Sequence, residues 1–281
     1  MIMKKIFMLF MTQFLRFTPD LFREFLAVSI GTLWFYLACE RRKIVTENLI
    51  AVLGKVEKKD VKKVFINFMR VYSDILDIPN MSKAYIKSMV EFKEMNYFEK
   101  VLDEGKGLIL VSPHVGGMEL AGIYLTSLGL PLCSVAETRG PGMDFFRFYN
   151  RYRGHFGNKL LPLEDRKLPF KLMRALKDNK IIVLIGDRDI LGSGIMSEFF
   201  GRRASIPKGI ALLSWKTGAP ILVGVLALDS NSPRYSAKVF EPVYTEDFDS
   251  VDEMLKEVVR LMEKGIRMYP FQWFVFQRIW K

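Results

Sequence analysis

The sequence predicts an α/β protein with a largely parallel central sheet flanked by helices, fed by a helical N-terminal lobe. Three observations carry this. Leu108–Ser112, Leu132–Ala136, Ile181–Ile185 and Ile221–Leu228 are short, continuously apolar runs, the form of strands buried on both faces. Segments of helical character lie between and after them, at about 116–128, 142–156, 166–178, 207–217 and 249–268, and strands alternating with helices imply parallel pairing. Upstream the period changes. Val61, Val64, Phe65, Phe68, Met69, Tyr72, Ile75 and Leu76 recur at helical spacing among Lys and Asp residues, which marks an amphipathic helix.

Half of the 281 residues are hydrophobic and 13% are aromatic, so a disordered chain is excluded and a large core is available. No internal repeat, low-complexity tract or Pro/Ser-rich linker divides the chain. The expected organisation is an apolar membrane-associating segment over 1–43 and one domain over 44–281, with a helical lobe at 44–104 and the α/β body at 105–281. Cys39 and Cys133 are the only cysteines and form no Cys-x-x-Cys, which excludes a disulfide scaffold or thiolate zinc site and suits a reducing compartment. Imidazole chemistry has only His114 and His155 to use.

The first residues superficially read as a signal peptide, with Lys4 and Lys5 before the apolar run Ile6–Phe17. Arg16, Thr18, Pro19 and Asp20 follow instead of a small-x-small cleavage site, so the segment is expected to be retained. A second apolar run, Phe25–Cys39, holds 15 residues. As a helix it spans about 22 Å, short of the roughly 30 Å hydrocarbon core. Arg23 and Glu24 on one side, with Glu40, Arg41, Arg42 and Lys43 on the other, suit a helix lying at a membrane surface. The alternative is a buried core helix of a soluble protein.

The first sheet strand ends in Ser112-Pro-His114-Val-Gly116-Gly117-Met-Glu119. Positions i and i+5 of a continuous helix lie about 140° apart, so His114 and Glu119 meet only if the two glycines bend the chain between them. The pair then has a rationale: Glu119 fixes the imidazole tautomer while His114 takes a proton from a hydroxyl nucleophile. A purely structural His and Glu remain the alternative. After the second strand, Arg139–Arg174 carries nine cations and three anions. Arg147 and Arg151 share a helical face among aromatic residues, suited to a phosphorylated or lipid surface or to a solvated basic helix. No nucleic-acid-binding module accompanies the patch, and nucleic acid is not expected as a partner. Asp187-Arg188-Asp189 closes the third strand and has two readings, a divalent-cation pair or carboxylates spent on the following loop and nearby arginines. Ser205 or Ile206 is expected to cap a helix with Pro207 at its first position. Arg202, Arg203 and Lys208 beside that start make a candidate anion seat.

Taken in order, these blocks resemble the late acyltransferases of lipid A biosynthesis (the lauroyl/myristoyl acyltransferase family), which includes mycobacterial phosphatidylinositol mannoside acyltransferases. The likeness is carried by Arg41-Arg-Lys-Ile-Val-Thr-Glu-Asn-Leu49, by His114-x4-Glu119, and by Pro141-Gly-Met-Asp144 with Arg151 beyond. Gly186-Asp-Arg-Asp189, Phe199-Phe-Gly201, Pro207-Lys-Gly209 and Thr217-Gly-Ala-Pro220 continue it, and Pro270-Phe-Gln-Trp273 with Gln277-Arg278 is a weaker last block. It covers about 250 residues.

The resemblance implies a glycerolipid acyltransferase-like fold and an enzyme at the cytoplasmic face of the inner membrane. Such an enzyme moves a fatty acyl chain from a thioester, on acyl carrier protein or coenzyme A, to a hydroxyl of a membrane lipid. No metal or other cofactor is expected. Carried over, His114 and Glu119 are the catalytic motif and Arg151 the arginine near its carboxylate; Asp187, Asp189, Arg202, Arg203 and Lys208 are substrate-binding candidates. Where Arg202 and Arg203 stand the family more often has apolar or small residues, and Lys208 stands at a frequent Thr. Alternatives within reach of the same sequence are a lysophospholipid acyltransferase using acyl-coenzyme A, a thioesterase, and a non-catalytic peripheral lipid-binding protein.

Overall fold

A computed structural model describes residues 12–138, 150, 157–229 and 234–281. Its centre is a seven-stranded sheet in the order β1-β9-β8-β2-β5-β3-β4. The strands are β1 (Val90–Phe92), β2 (Leu108–Ser112), β3 (Leu132–Ala136), β4 (Lys159–Pro162), β5 (Ile181–Ile185), β8 (Ile221–Leu228) and β9 (Tyr235–Val239). β6 (Ile195–Phe199) and β7 (Arg202–Ile206) form a separate antiparallel hairpin. Every neighbouring pair in the large sheet is parallel except β8 with β9. The sheet is therefore largely parallel, as expected, with β9 and β1 together running opposite to the other five strands. The four expected strands fall on the expected residues. Alternation divides their side chains between two cores: Ile109, Val111 and Val223 enter one cluster, Leu108, Leu110 and Leu222 the other.

Helices α6 (Met118–Ser127), α7 (Leu168–Lys177), α8 (Gly209–Thr217) and α9 (Val251–Met268) cover the sheet, with α4 (Lys83–Ser88) and α5 (Met95–Asp103) before it. α7, α8 and α9 pack in the first cluster, α4, α5 and α6 in the second. The expected helix at 142–156 lies outside the described residues, apart from Asn150. The expected start at Ser205 to Pro207 shifts two residues, to a Lys208 cap before Gly209. Ser205 is held elsewhere, its hydroxyl donating to Asp189 at 2.7 Å, and Ile206 is paired to Ile195 in the hairpin.

The N-terminal lobe consists of α1 (Asp20–Leu37), α2 (Cys39–Leu53) and α3 (Lys58–Asp77). A Glu57/Asp60 capping box opens α3. α1 and α2 meet at 98°, and α2 runs continuously through residues 43 and 44. No single helix among the described residues is long and apolar enough to cross a membrane, though the bent pair passes that test jointly. Arg42, one of the cations expected at phosphate level, turns inward: its Nη1 donates to the Phe35 carbonyl at 3.0 Å, satisfying the end of α1 at the bend. The buried stripe of α1 is Ala27, Gly31 and Phe35. Leu21, Phe25, Leu33 and Leu37 on its other side are 59–85% exposed, a continuous apolar face too large to be scattered surface residues.

Gly31 sets how closely α1 approaches α3, since a Cβ there would lie 2.7 Å from the Ile66 Cα. Gly31→Val is expected to force the helices apart and destabilise the fold by about 1–3 kcal/mol. Chemical denaturation checks this; an unchanged midpoint would mean that the crossing is not tightly packed.

Candidate active site

β2 leaves the sheet at Ser112 and turns sharply. The Val115 amide donates to the Pro113 carbonyl at 2.7 Å, closing a three-residue turn with His114 at its apex. Gly116 follows at φ +57°, a conformation that disfavours any side chain. Space forbids one as well: a Cβ on Gly116 would lie 2.2 Å from the Leu226 carbonyl oxygen, and one on Gly117 would lie 2.8 Å from the Tyr235 ring. The glycines thus let the corner press directly on β8, where the Gly117 amide donates to Leu226 at 2.7 Å.

The carboxylate that holds the His114 ring is Asp187, and not the expected Glu119. Asp187 Oδ1 lies 2.5 Å from His114 Nδ1, while Oδ2 accepts from the His114 backbone amide at 2.9 Å and from the Trp273 indole Nε1 at 2.8 Å. The Asp187 side chain is wholly buried and that of His114 is 15% exposed. Burial pushes the Asp187 carboxyl up, yet the His114 charge and these hydrogen bonds outweigh it and hold the group below its usual value. With Asp187 ionised, the shared hydrogen sits on Nδ1, and the lone pair of a neutral imidazole is on Nε2. This is the arrangement of a general base oriented by a buried acid.

Glu119 lies on the first turn of α6, half-buried. Arg151 and His155 lie outside the described residues. Asp187 and Asp189, which the cation reading pairs, part company. The Asp189 oxygens accept from the Gly192 amide at 2.9 Å, the Gly194 amide at 2.8 Å and the Ser205 hydroxyl at 2.7 Å. Burial raises the Asp189 carboxyl, but these donors outweigh it and leave the group below its usual value. Asp189 therefore shapes its own loop, and Asp187, wholly buried, reaches a substrate only through His114. Among the described residues no three His, Cys, Asp or Glu side chains gather as a metal centre. Arg202 lies over the Trp280 ring at 5.6 Å, Arg203 is exposed on the hairpin, and Lys208 caps α8. Only Lys208 stands at the helix start; the two arginines belong to β7, so the expected three-cation seat is spread over two elements.

Trp273 was legible only as part of a weak terminal block, because nothing in its local sequence ties it to a residue more than 80 positions away. A small apolar cleft of about 50 Å³ lies between α6 and the sheet, running from β5 to β1, well below the volume of a pocket that encloses a whole small molecule. Ser112 and Met118, which bracket the His114 corner, line it, as do Leu110, Val183 and Leu226, with Phe92 and Phe98 towards β1.

An oriented histidine at the carboxyl edge of a mainly parallel sheet, beside an apolar cleft, equips an α/β enzyme for acyl transfer. The family model for bacterial lipid A biosynthesis acyltransferase matches residues 2–281, and the chain belongs to that family. It is 27% identical over 239 residues to the phosphatidylinositol mannoside acyltransferase of Mycolicibacterium smegmatis, covering 83% of this chain and 77% of that one. It is 27% identical over 160 residues to the Mycobacterium tuberculosis H37Rv protein of the same description, covering 56% and 50%. With the lipid A biosynthesis acyltransferase of Haemophilus influenzae it shares 25% identity over 206 residues, 71% of this chain and 64% of that one.

Because the folded-state pKa of Asp187 is lowered, the stability it contributes is full above the unfolded value of about 3.9 and is lost as pH falls through the lower folded value. Asp187→Asn is expected to lower stability at neutral pH and flatten the acid limb of a stability-against-pH curve. Urea midpoints from pH 7 to pH 3 test this, and parallel curves for the two proteins would refute it. Gly116→Ala should cost about 1–3 kcal/mol through strain at its positive φ; a wild-type urea midpoint would show that the corner relaxes.

Proposed function

We propose that this acyltransferase is membrane-bound at the cytoplasmic face of the inner membrane. It moves a fatty acyl chain from a thioester, on acyl carrier protein or coenzyme A, to a hydroxyl of a glycolipid or lipid A-like acceptor. The observation that carries this reading is the His114–Asp187 pair at the edge of the apolar cleft. Similarity to a phosphatidylinositol mannoside acyltransferase and to a lipid A biosynthesis acyltransferase supports a glycolipid acceptor.

In this mechanism His114 Nε2 takes the proton of the acceptor hydroxyl as its oxygen attacks the thioester carbonyl carbon. The tetrahedral intermediate collapses with cleavage of the carbon–sulfur bond, and the imidazolium returns the proton to the leaving thiolate. Asp187 stabilises the imidazolium and stays ionised throughout. The reacting end of the acyl chain meets the apolar lining under α6, a cleft of about 50 Å³ that takes only its first carbons. Gly117 opens α6 without a side-chain cap, so the positive end of the helix dipole favours negative charge developing beside the corner. Glu119 and Arg151 complete the proposed catalytic set, with Lys208 among the residues for the polar part of the substrates. The apolar face of α1, followed in sequence by the exposed Arg41 and Lys43 of α2, is the proposed membrane contact.

Incubation with labelled acyl thioesters and membrane lipid tests the reaction. His114→Ala is expected to lower transfer by about 10²–10⁴-fold. A wild-type protein that acylates no lipid sinks the reading; free fatty acid without lipid product points to a thioesterase, and competition between the two thioester donors identifies the carrier. For the membrane contact, Leu21→Asp, Phe25→Asp and Leu33→Asp together should weaken vesicle binding about tenfold or more, from the apolar area each withdraws. Unchanged co-sedimentation would place the contact elsewhere.

A further inference from the structure

The last block of the sequence returns to the active corner as a strap. The Gly116 amide donates to the Gln272 carbonyl at 2.9 Å, and the Phe274 amide to the His114 carbonyl at 2.8 Å. The Gln272 side chain grips β8 through Leu228, accepting from its amide at 2.8 Å and donating to its carbonyl at 2.9 Å. Between these grips, Trp273 is 2% exposed and donates its indole hydrogen to Asp187. Trp280 makes an instructive contrast. It lies in the same aromatic cluster, 6.3 Å from Trp273 between ring centroids, and among the described residues its buried Nε1 has no hydrogen-bond partner. Packing in this cluster therefore does not by itself require an indole hydrogen bond, whereas the buried carboxylate does require donors.

We propose that Trp273 is a positioning residue for the reaction: its indole N–H locks the Asp187 carboxylate plane and thereby aims the His114 ring. This rests on the functional reading above. Asp187 Oδ2 takes two fixed donors, the His114 amide and the indole, which leaves Oδ1 facing Nδ1. Without the indole, one fixed donor remains and the carboxylate can turn about its terminal torsion, which is broad and soft. The ring then loses its single orientation. The effect falls on proton transfer, so kcat drops while KM holds.

The test uses the full chain as wild type, Trp273→Phe and Trp280→Phe, with acyl transfer kinetics and the proton resonance of the His114–Asp187 bond, identified as the signal absent from His114→Ala. Trp273→Phe is expected to lower kcat about tenfold or more, a size typical of residues that orient a catalytic ligand, with KM within about twofold, and to move the bridging resonance; Trp280→Phe should leave both near wild type. A Trp273→Phe protein with wild-type kcat and an unmoved resonance overturns the proposal, as does an equal effect of Trp280→Phe. If Trp273→Phe does not fold, the wild-type spectrum decides. Of the four indole signals, that of Trp273, assigned by elimination with Trp34→Phe, Trp215→Phe and Trp280→Phe, must lie downfield of that of Trp280, and no such displacement sinks the idea. Should the wild type transfer no acyl chain, the functional reading falls separately, because the resonances still report whether the indole holds Asp187.

Discussion

A carboxylate wholly out of water at the end of β5 is the constraint on which the active corner depends. Leaving such a charge unpaired costs several kcal/mol, so the fold must bring donors to it, and they come from two distant parts of the chain. The turn after β2 supplies the amide and ring of His114, and the C-terminal segment supplies the Trp273 indole. Desolvation and charge pairing are thus two sides of one arrangement. The burial that makes Asp187 expensive also strengthens its hold on His114, because the pair interacts in a medium far less polarisable than water.

Backbone proximity makes this geometry possible. His114 reaches Asp187 only because the next two residues lack side chains and lie flat against β8 and Tyr235. Tyr235 is itself fixed by a second buried cluster: its hydroxyl and the Arg234 Nε donate to Asp74 of α3 at 2.6 and 2.7 Å. Burial and the neighbouring Asp74 push the Tyr235 hydroxyl well up, which keeps it a donor. Arg23 pairs with Asp77 at 2.7 Å, and the Arg70 Nε donates to Glu24 at 2.9 Å. These bonds connect α1 through α3 to the ground beneath the corner. The helix with the exposed apolar face is consequently anchored on α3 by its Ala27, Gly31 and Phe35 stripe and by Arg23 and Glu24 near its start, leaving its other apolar side outward.

Much of the fold was legible in the sequence. Runs such as Ile109–Val111 and Leu222–Val223 are apolar on both sides of the chain because both sheet faces are covered, and this local signal specifies the central strands without tertiary information. The strands that escaped notice, β1, β4, β6, β7 and β9, are short or carry polar residues on one side. β9 reads Tyr-Ser-Ala-Lys-Val, too brief a pattern to separate from a loop, and it is a strand because β8 and β1 offer it hydrogen-bonding edges on both sides.

By itself the sequence determined the four central strands with helices between them, the glycine-bent corner carrying His114, and the apolar run Phe25–Cys39 with its charged flanks, since each follows from the spacing of residue types within a few turns or strands. Only the tertiary structure decided which carboxylate serves the histidine. Glu119 is five residues from His114 and Asp187 is 73, yet β2 and β5 lie side by side in register, so their ends meet while the start of α6 carries Glu119 onto the next element. Strand pairing, which costs loop entropy regardless of local pattern, selects the partner, and the same long-range closure brings Trp273 back from the C-terminal segment.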